Sequence, residues 1–121
     1  MSAYTTRNSL LRKMGYPSYA DYLSSKLWED IRHRVFSSGR QCRLCLAKMG
    51  EMHLHHICYK KTVMTGDDLS KLIPLCAICH HRIEFTKKGV KRSLTQANYE
   101  LQRLSRDAGR EIFLKKIRRK P

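Results

Sequence analysis

No run of apolar residues in this 121-residue chain approaches the ~20 needed to span a bilayer. Met1 to Lys13 also lacks the apolar stretch of a secretory signal peptide, so neither a membrane-spanning nor an exported protein is expected. There is no internal repeat and no low-complexity tract, which argues against a repeat array. Acidic residues are scarce: 10 Asp and Glu stand against 25 Lys and Arg, for a formal net charge of +15. A field of that sign attracts polyanions, and nucleic acid is the first candidate. An anionic membrane surface, or mere solubility, is the plainer alternative.

The length is that of one domain with room for terminal extensions. Such a chain has a modest core, so a metal staple is physically reasonable. Its five cysteines read as intracellular, cytoplasmic thiols. Four fall in two pairs, Cys42-x-x-Cys45 and Cys76-x-x-Cys79, with Cys58 left over as a small half-buried residue. Each pair offers two sulfurs from one tight turn, and four thiolates make a closed tetrahedral site for structural zinc. A redox dithiol or a disulfide framework is the competing reading, weakened by the presence of two matched pairs.

The pattern along the chain is mixed. Residues 1–17 read as a basic N-terminal arm or short helix. Ser18 to Ser38 reads as one helix, with Leu23, Leu27, Ile31 and Val35 repeating beside Trp28 and Phe36, and with Ser24 or Ser25 able to cap a start. Glu51 to Tyr59 reads as extended, with Met52, Leu54, His56 and Cys58 on one face and His53, His55, Ile57 and Tyr59 on the other. Unless the strand ends or bulges, His55 and His56 then point to opposite sides. Lys60 to Leu72 reads as a loop. A helix from Ala77 through Phe85 sets His80 and Glu84 four apart on one face. Residues 93–119 read as a long helix with a Ser93/Gln96 capping box, followed by a basic tail. The fold class is therefore α+β, with residues 18–92 as the working domain and 93–121 as a C-terminal basic helix and tail.

His55, His56, His80 and Glu84 form a second constellation. Phosphodiester cleavage needs a base to activate water and a cation to neutralise charge on the scissile phosphate. A neutral imidazole suits the base. A His and a Glu on adjacent helical turns, plus a histidine from a hairpin, can hold one divalent ion with open positions. From spacing alone, His80 or His81 could equally stand in for a zinc-site cysteine or lie on the surface.

Taken in order, Tyr22-Leu23 through Trp28, Ile31, Arg32, Arg34 and Val35, the two Cys-x-x-Cys knuckles, Leu54-His55-His56-Ile57, Leu72-Ile73-Pro74-Leu75 and Ile83-Glu84 resemble an HNH endonuclease of the zinc-knuckle type. The resemblance covers about residues 20–85. It implies a ββα-metal core, a hairpin packed on a helix with a divalent ion between them, flanked by N- and C-terminal helices. His55 and His80 would be metal ligands and His56 the general base. Glu84 falls where the family often has a third metal-binding histidine. Mg²⁺, Mn²⁺ or another, softer divalent ion would serve beside the structural Zn²⁺. His81 matches no family role.

The departure is Lys71, which stands where the family's central asparagine pins the hairpin loop and orients the base. Lysine only donates, so at this catalytic position it either contacts a phosphate instead or leaves Asp67 or Asp68 to supply an acceptor. Arg32, Arg34, Lys60, Lys61, Arg82, Lys87, Lys88, Lys91 and Arg92 are the expected phosphate contacts on double-stranded DNA. The expected activity is metal-dependent DNA hydrolysis leaving 5′-phosphate and 3′-hydroxyl ends. Such an activity suits a phage or defence setting with a regulatory or targeting protein partner. A non-catalytic, zinc-stabilised nucleic-acid-binding module, silenced through Lys71, is the alternative. A nuclease acting on RNA or on structured junctions is a third reading.

Overall fold

The computed structural model describes residues 2–109. They form an α+β protein with a two-stranded sheet and six helices. In chain order these are α1 (Ala3–Lys13), α2 (Tyr19–Leu23), α3 (Lys26–Phe36), β1 (Met52–His56), α4 (Lys61–Met64), β2 (Leu72–Cys76), α5 (Ala77–Glu84) and α6 (Leu94–Asp107), with a 3-10 turn at Leu69–Lys71 before β2. β1 pairs with β2. The Ile57 N–H reaches the Lys71 carbonyl and the Ala77 N–H reaches that of Glu51, so the ladder is antiparallel. No helix among the described residues is long and apolar enough to cross a membrane.

The chain divides into two compact units, residues 2–40 with 54–73 and residues 41–53 with 74–109. In the first, Leu11, Tyr22, Trp28, Ile31, Leu54, Val63, Met64 and Leu72 make one buried apolar cluster. Leu11 belongs to α1, so part of the segment read as an arm from its polarity contributes to this core. Tyr22 is wholly buried and its hydroxyl donates to the Met64 carbonyl at 2.7 Å. Burial pushes that hydroxyl well above the usual phenol range.

The expected single helix over Ser18 to Ser38 is broken in two. The Ser25 side chain donates to the Tyr22 carbonyl at 2.6 Å and accepts from the Trp28 N–H at 3.2 Å. That serine satisfies the end of one helix and the start of the next, which is why a cap residue inside a periodic stripe ends it. The phase shift leaves Leu23 exposed while Trp28 and Ile31 are buried. The segment read as a loop, Lys60 to Leu72, contains α4 and the 3-10 turn.

Gly66 closes this loop with φ of +88°, where a side chain is strained. A Cβ there would meet the Arg34 guanidinium, and Ile31 Cγ1 at 2.8 Å. Arg34 itself donates to the Gly66 carbonyl at 3.2 Å. Gly66→Ala is expected to cost about 2–3 kcal/mol and lower Tm by roughly 5–10 °C in a thermal melt.

In the second unit α5 packs against α6, burying Ile83, Leu94, Ala97 and Leu101. Ser93 and Gln96 form the expected capping box. α6 is followed by its cap, Ala108, and by Gly109 at φ 73°. The expected basic tail, Lys115, Lys116, Arg118, Arg119 and Lys120, lies outside the described residues.

Candidate metal centres

Sulfur atoms of Cys42, Cys45, Cys76 and Cys79 all lie within 4.8 Å of one another. The first pair sits on a turn where the Leu46 N–H returns to the Cys42 carbonyl, and Leu46 takes the left-handed region at φ 67°. The second pair straddles the end of β2 and the start of α5, with Cys76 as N-cap. In each knuckle the first sulfur accepts a backbone N–H from the second cysteine at 3.4 Å. Cys45 Sγ and Cys76 Sγ are 3.8 Å apart. Two thiolates at about 2.3 Å from a tetrahedral centre would be separated by about that distance, so the cluster fits a metal such as zinc.

The electrostatics are consistent with a site that requires a cation. Burial pushes the Cys42 thiol up, but backbone N–H groups of Cys45, Cys76 and Leu44 overcome this and bring it to about 7. Burial, then the neighbouring sulfurs, push the Cys79 thiol far up. Four thiolates at these separations repel one another, and a dication is what allows all four to deprotonate.

A second donor set is His55, His80 and Glu84, whose ligand atoms also lie within 4.8 Å of one another. His55 is on β1 and is buried. His80 and Glu84 are successive-turn neighbours on α5, with His80 Nε2 and Glu84 Oε2 at 3.4 Å. Two ligands at about 2.1 Å from one ion would stand roughly 3–3.4 Å apart, so this pair fits a shared divalent ion. Lys91 contacts the other oxygen of the same carboxylate. His80 Nδ1 faces His53 Nδ1 at 2.9 Å, and His53 Nε2 faces Glu51 Oε2 at 2.8 Å. Sequence reading passed over His53 and Glu51, although alternation already set His53 on the strand face of His55.

His56 goes the other way. It is 2% exposed, stacked on Trp28 at 5.0 Å with Tyr59 at 5.2 Å, and Tyr19 Oη lies 3.3 Å from its Nδ1. The Arg7 guanidinium lies 3.8 Å from the centroid of the Tyr19 ring. β1 includes both histidines, so plain strand alternation separates them, as the pattern required in the absence of a bulge. No sequence signal pointed to Arg7 or Tyr19.

Lys71 ends the 3-10 turn, and its carbonyl holds the Ile57 N–H. The loop before it is pinned by Asp68, which accepts from the Ser70 N–H at 2.9 Å and the Ser70 hydroxyl at 2.6 Å. These bonds hold its carboxyl below the usual carboxylate range. Asp67 accepts from the Thr65 hydroxyl at 3.0 Å.

The expected phosphate contacts differ in environment. Lys60, Lys61, Arg82, Lys87 and Lys88 are exposed. The Arg32 guanidinium lies 5.0 Å from the Phe36 ring centroid. Arg92 donates to the carbonyls of Arg82, Ile83 and Phe85, satisfying the C-terminal end of α5. His81 is exposed and stacks on Phe85 at 4.7 Å, while Cys58 is half-buried against the first unit's core. No protein-family profile, curated protein or solved structure matches this chain.

Proposed function

We propose that this protein is a metal-dependent endonuclease of the HNH type that hydrolyses phosphodiester bonds in double-stranded DNA. The observation that carries the reading is the presence of two donor sets of different chemistry: four cysteine sulfurs, and the His55, His80 and Glu84 group. A zinc-stapled binding module has use for the first alone. The second, two imidazoles and a carboxylate, suits Mg²⁺, Mn²⁺ or a softer divalent ion.

Such an ion supplies positive charge beside the scissile phosphate and the departing oxygen. The chain's own residues do the rest. His55, His80 and Glu84 hold the charge in position. His56 takes a proton from water, water oxygen bonds to phosphorus, the bond from phosphorus to the 3′ oxygen breaks, and the departing 3′ oxygen takes a proton from solvent water. The products are a 5′-phosphate and a 3′-hydroxyl. For His56 to accept a proton at Nε2, Nδ1 must carry the other hydrogen and donate it to Tyr19 Oη, its neighbour at 3.3 Å. The exposed lysines and Arg82 bind phosphate without reading sequence, so affinity falls steeply with salt. A partner protein that restrains or directs cutting accords with that lack of sequence readout.

Two observations favour a second reading, a non-catalytic DNA-binding module: the burial of His56 among aromatic rings and lysine at position 71. His56→Ala separates them. Under the nuclease reading it lowers cleavage of a labelled duplex by about 10²-fold or more, with DNA binding at matched salt unchanged. Wild type and variant cleaving equally, or neither cleaving, would count against the role assigned to His56.

A further inference from the structure

The histidine that precedes the HNH-like pair is also part of the arrangement. Glu51, His53, His80 and Glu84 form one chain of polar contacts within the second unit. Glu51 Oε2 lies 2.8 Å from His53 Nε2. His53 Nδ1 lies 2.9 Å from His80 Nδ1. His80 Nε2 lies 3.4 Å from Glu84 Oε2. The two rings meet nearly at right angles, 88° between planes, so one can aim a ring N–H at the in-plane lone pair of the other.

The direction of hydrogen donation along this chain follows from its first member. A carboxylate accepts and does not donate. The His53 hydrogen therefore sits on Nε2, directed at Glu51. In a neutral His53 that leaves Nδ1 as an acceptor, and the contact at 2.9 Å then needs a hydrogen on His80 Nδ1. In the neutral ring of His80, Nε2 then carries the lone pair, directed toward Glu84 Oε2. Two acceptors facing each other at 3.4 Å suit a shared cation.

We propose that His53, backed by Glu51, is a positioning residue for the divalent-ion site: it selects the His80 tautomer whose Nε2 can bind the ion. This rests on the reading of His55, His80 and Glu84 as an ion site. Histidine ligands commonly donate their other N–H to a carboxylate, carbonyl or water, and losing such a partner lowers metal affinity by roughly 10–100-fold. Here the immediate partner is a second imidazole, and the carboxylate stands one step further out.

The test is made on the zinc-loaded full chain. Long-range ¹⁵N–¹H NMR of the protein without a second ion reads the tautomers directly and needs no variant. Hydrogen on His80 Nδ1 and on His53 Nε2 is expected. Hydrogen on His80 Nε2 would overturn the proposal. Titration with Mn²⁺, followed by its EPR signal, then compares wild type with His53→Ala and His53→Gln. His53→Ala should bind Mn²⁺ roughly 10–100-fold more weakly. His53→Gln should remain within about threefold of wild type, because its amide oxygen can accept from His80 Nδ1 while its NH₂ donates to Glu51. Unchanged affinity in His53→Ala, or equal losses in both variants, would refute the positioning role. No second-ion binding by wild type would instead remove the ion site itself, and the proposal with it, an outcome distinct from wild-type binding that His53→Ala leaves intact.

Discussion

Cys42→Ser is expected to abolish cooperative folding of residues 41–53 with 74–109 and to prevent binding of the zinc that the four-sulfur cluster fits. Cys42 is wholly buried, and its sulfur is among four lying within 4.8 Å of one another. Structural zinc binding is worth about 10–16 kcal/mol in small zinc-binding peptides at neutral pH. A domain's whole stability is about 5–15 kcal/mol. Loss of the ion from a closed four-sulfur site therefore removes an amount comparable to all of it. Circular dichroism melts and zinc determination after gel filtration measure the effect. A zinc-free Cys42→Ser protein that melts cooperatively within a few degrees of wild type would refute the zinc assignment. Prolonged chelation of wild type should reproduce the variant, because the metal-binding free energy that ties the two knuckles together is lost with the ion.

Under the nuclease proposal, His80→Ala is expected to do the opposite, leaving the fold and removing the cleavage. His80 is half-buried on α5, with His53 Nδ1 and Glu84 Oε2 as polar neighbours of its ring. The variant should keep its zinc and its melting temperature to within a few degrees. It should lose Mn²⁺ binding by more than about 100-fold and cleavage by about 10³-fold, the equivalent of roughly 4 kcal/mol of transition-state stabilisation. Cleavage assayed at saturating DNA with Mn²⁺ titrated, beside the zinc content of the same sample, separates this from unfolding. Full cleavage by a folded His80→Ala protein would show that the His55, His80 and Glu84 set is not the reacting centre.

Much of this arrangement can be read from residue spacing. Two cysteines three apart in a tight turn can hardly avoid presenting both sulfurs to one point, and a His and a Glu four apart on a helix share a face. Strand alternation over Met52 to His56 separates His55 from His56, and the structure keeps that alternation. The Ser93/Gln96 box starts α6 where the pattern requires.

What escaped the sequence depends on long-range partners. His56 lies among Tyr59, three residues on, and the distant Tyr19 and Trp28, and no local pattern shows that three aromatic rings will surround one imidazole. Spacing marks Ser24 or Ser25 as able to cap a start, but does not show that the Ser25 hydroxyl bonds both ways and divides the stripe into two helices. Arg34 and Arg92 are expected from sequence as phosphate contacts, and their guanidinium groups also complete a loop and a helix end. Composition counts charges and does not say which of them backbone carbonyls will claim.

The central claim, metal-dependent DNA hydrolysis, is tested most directly by incubating zinc-loaded wild-type protein with supercoiled plasmid in Mg²⁺, Mn²⁺, Ni²⁺ or excess EDTA. Conversion to nicked or linear DNA with at least one added ion, and none in EDTA while the zinc stays bound, is the expected result. Intact plasmid in every ion, from folded protein that holds one zinc and shifts the DNA in a gel, would contradict the nuclease reading and leave the binding module.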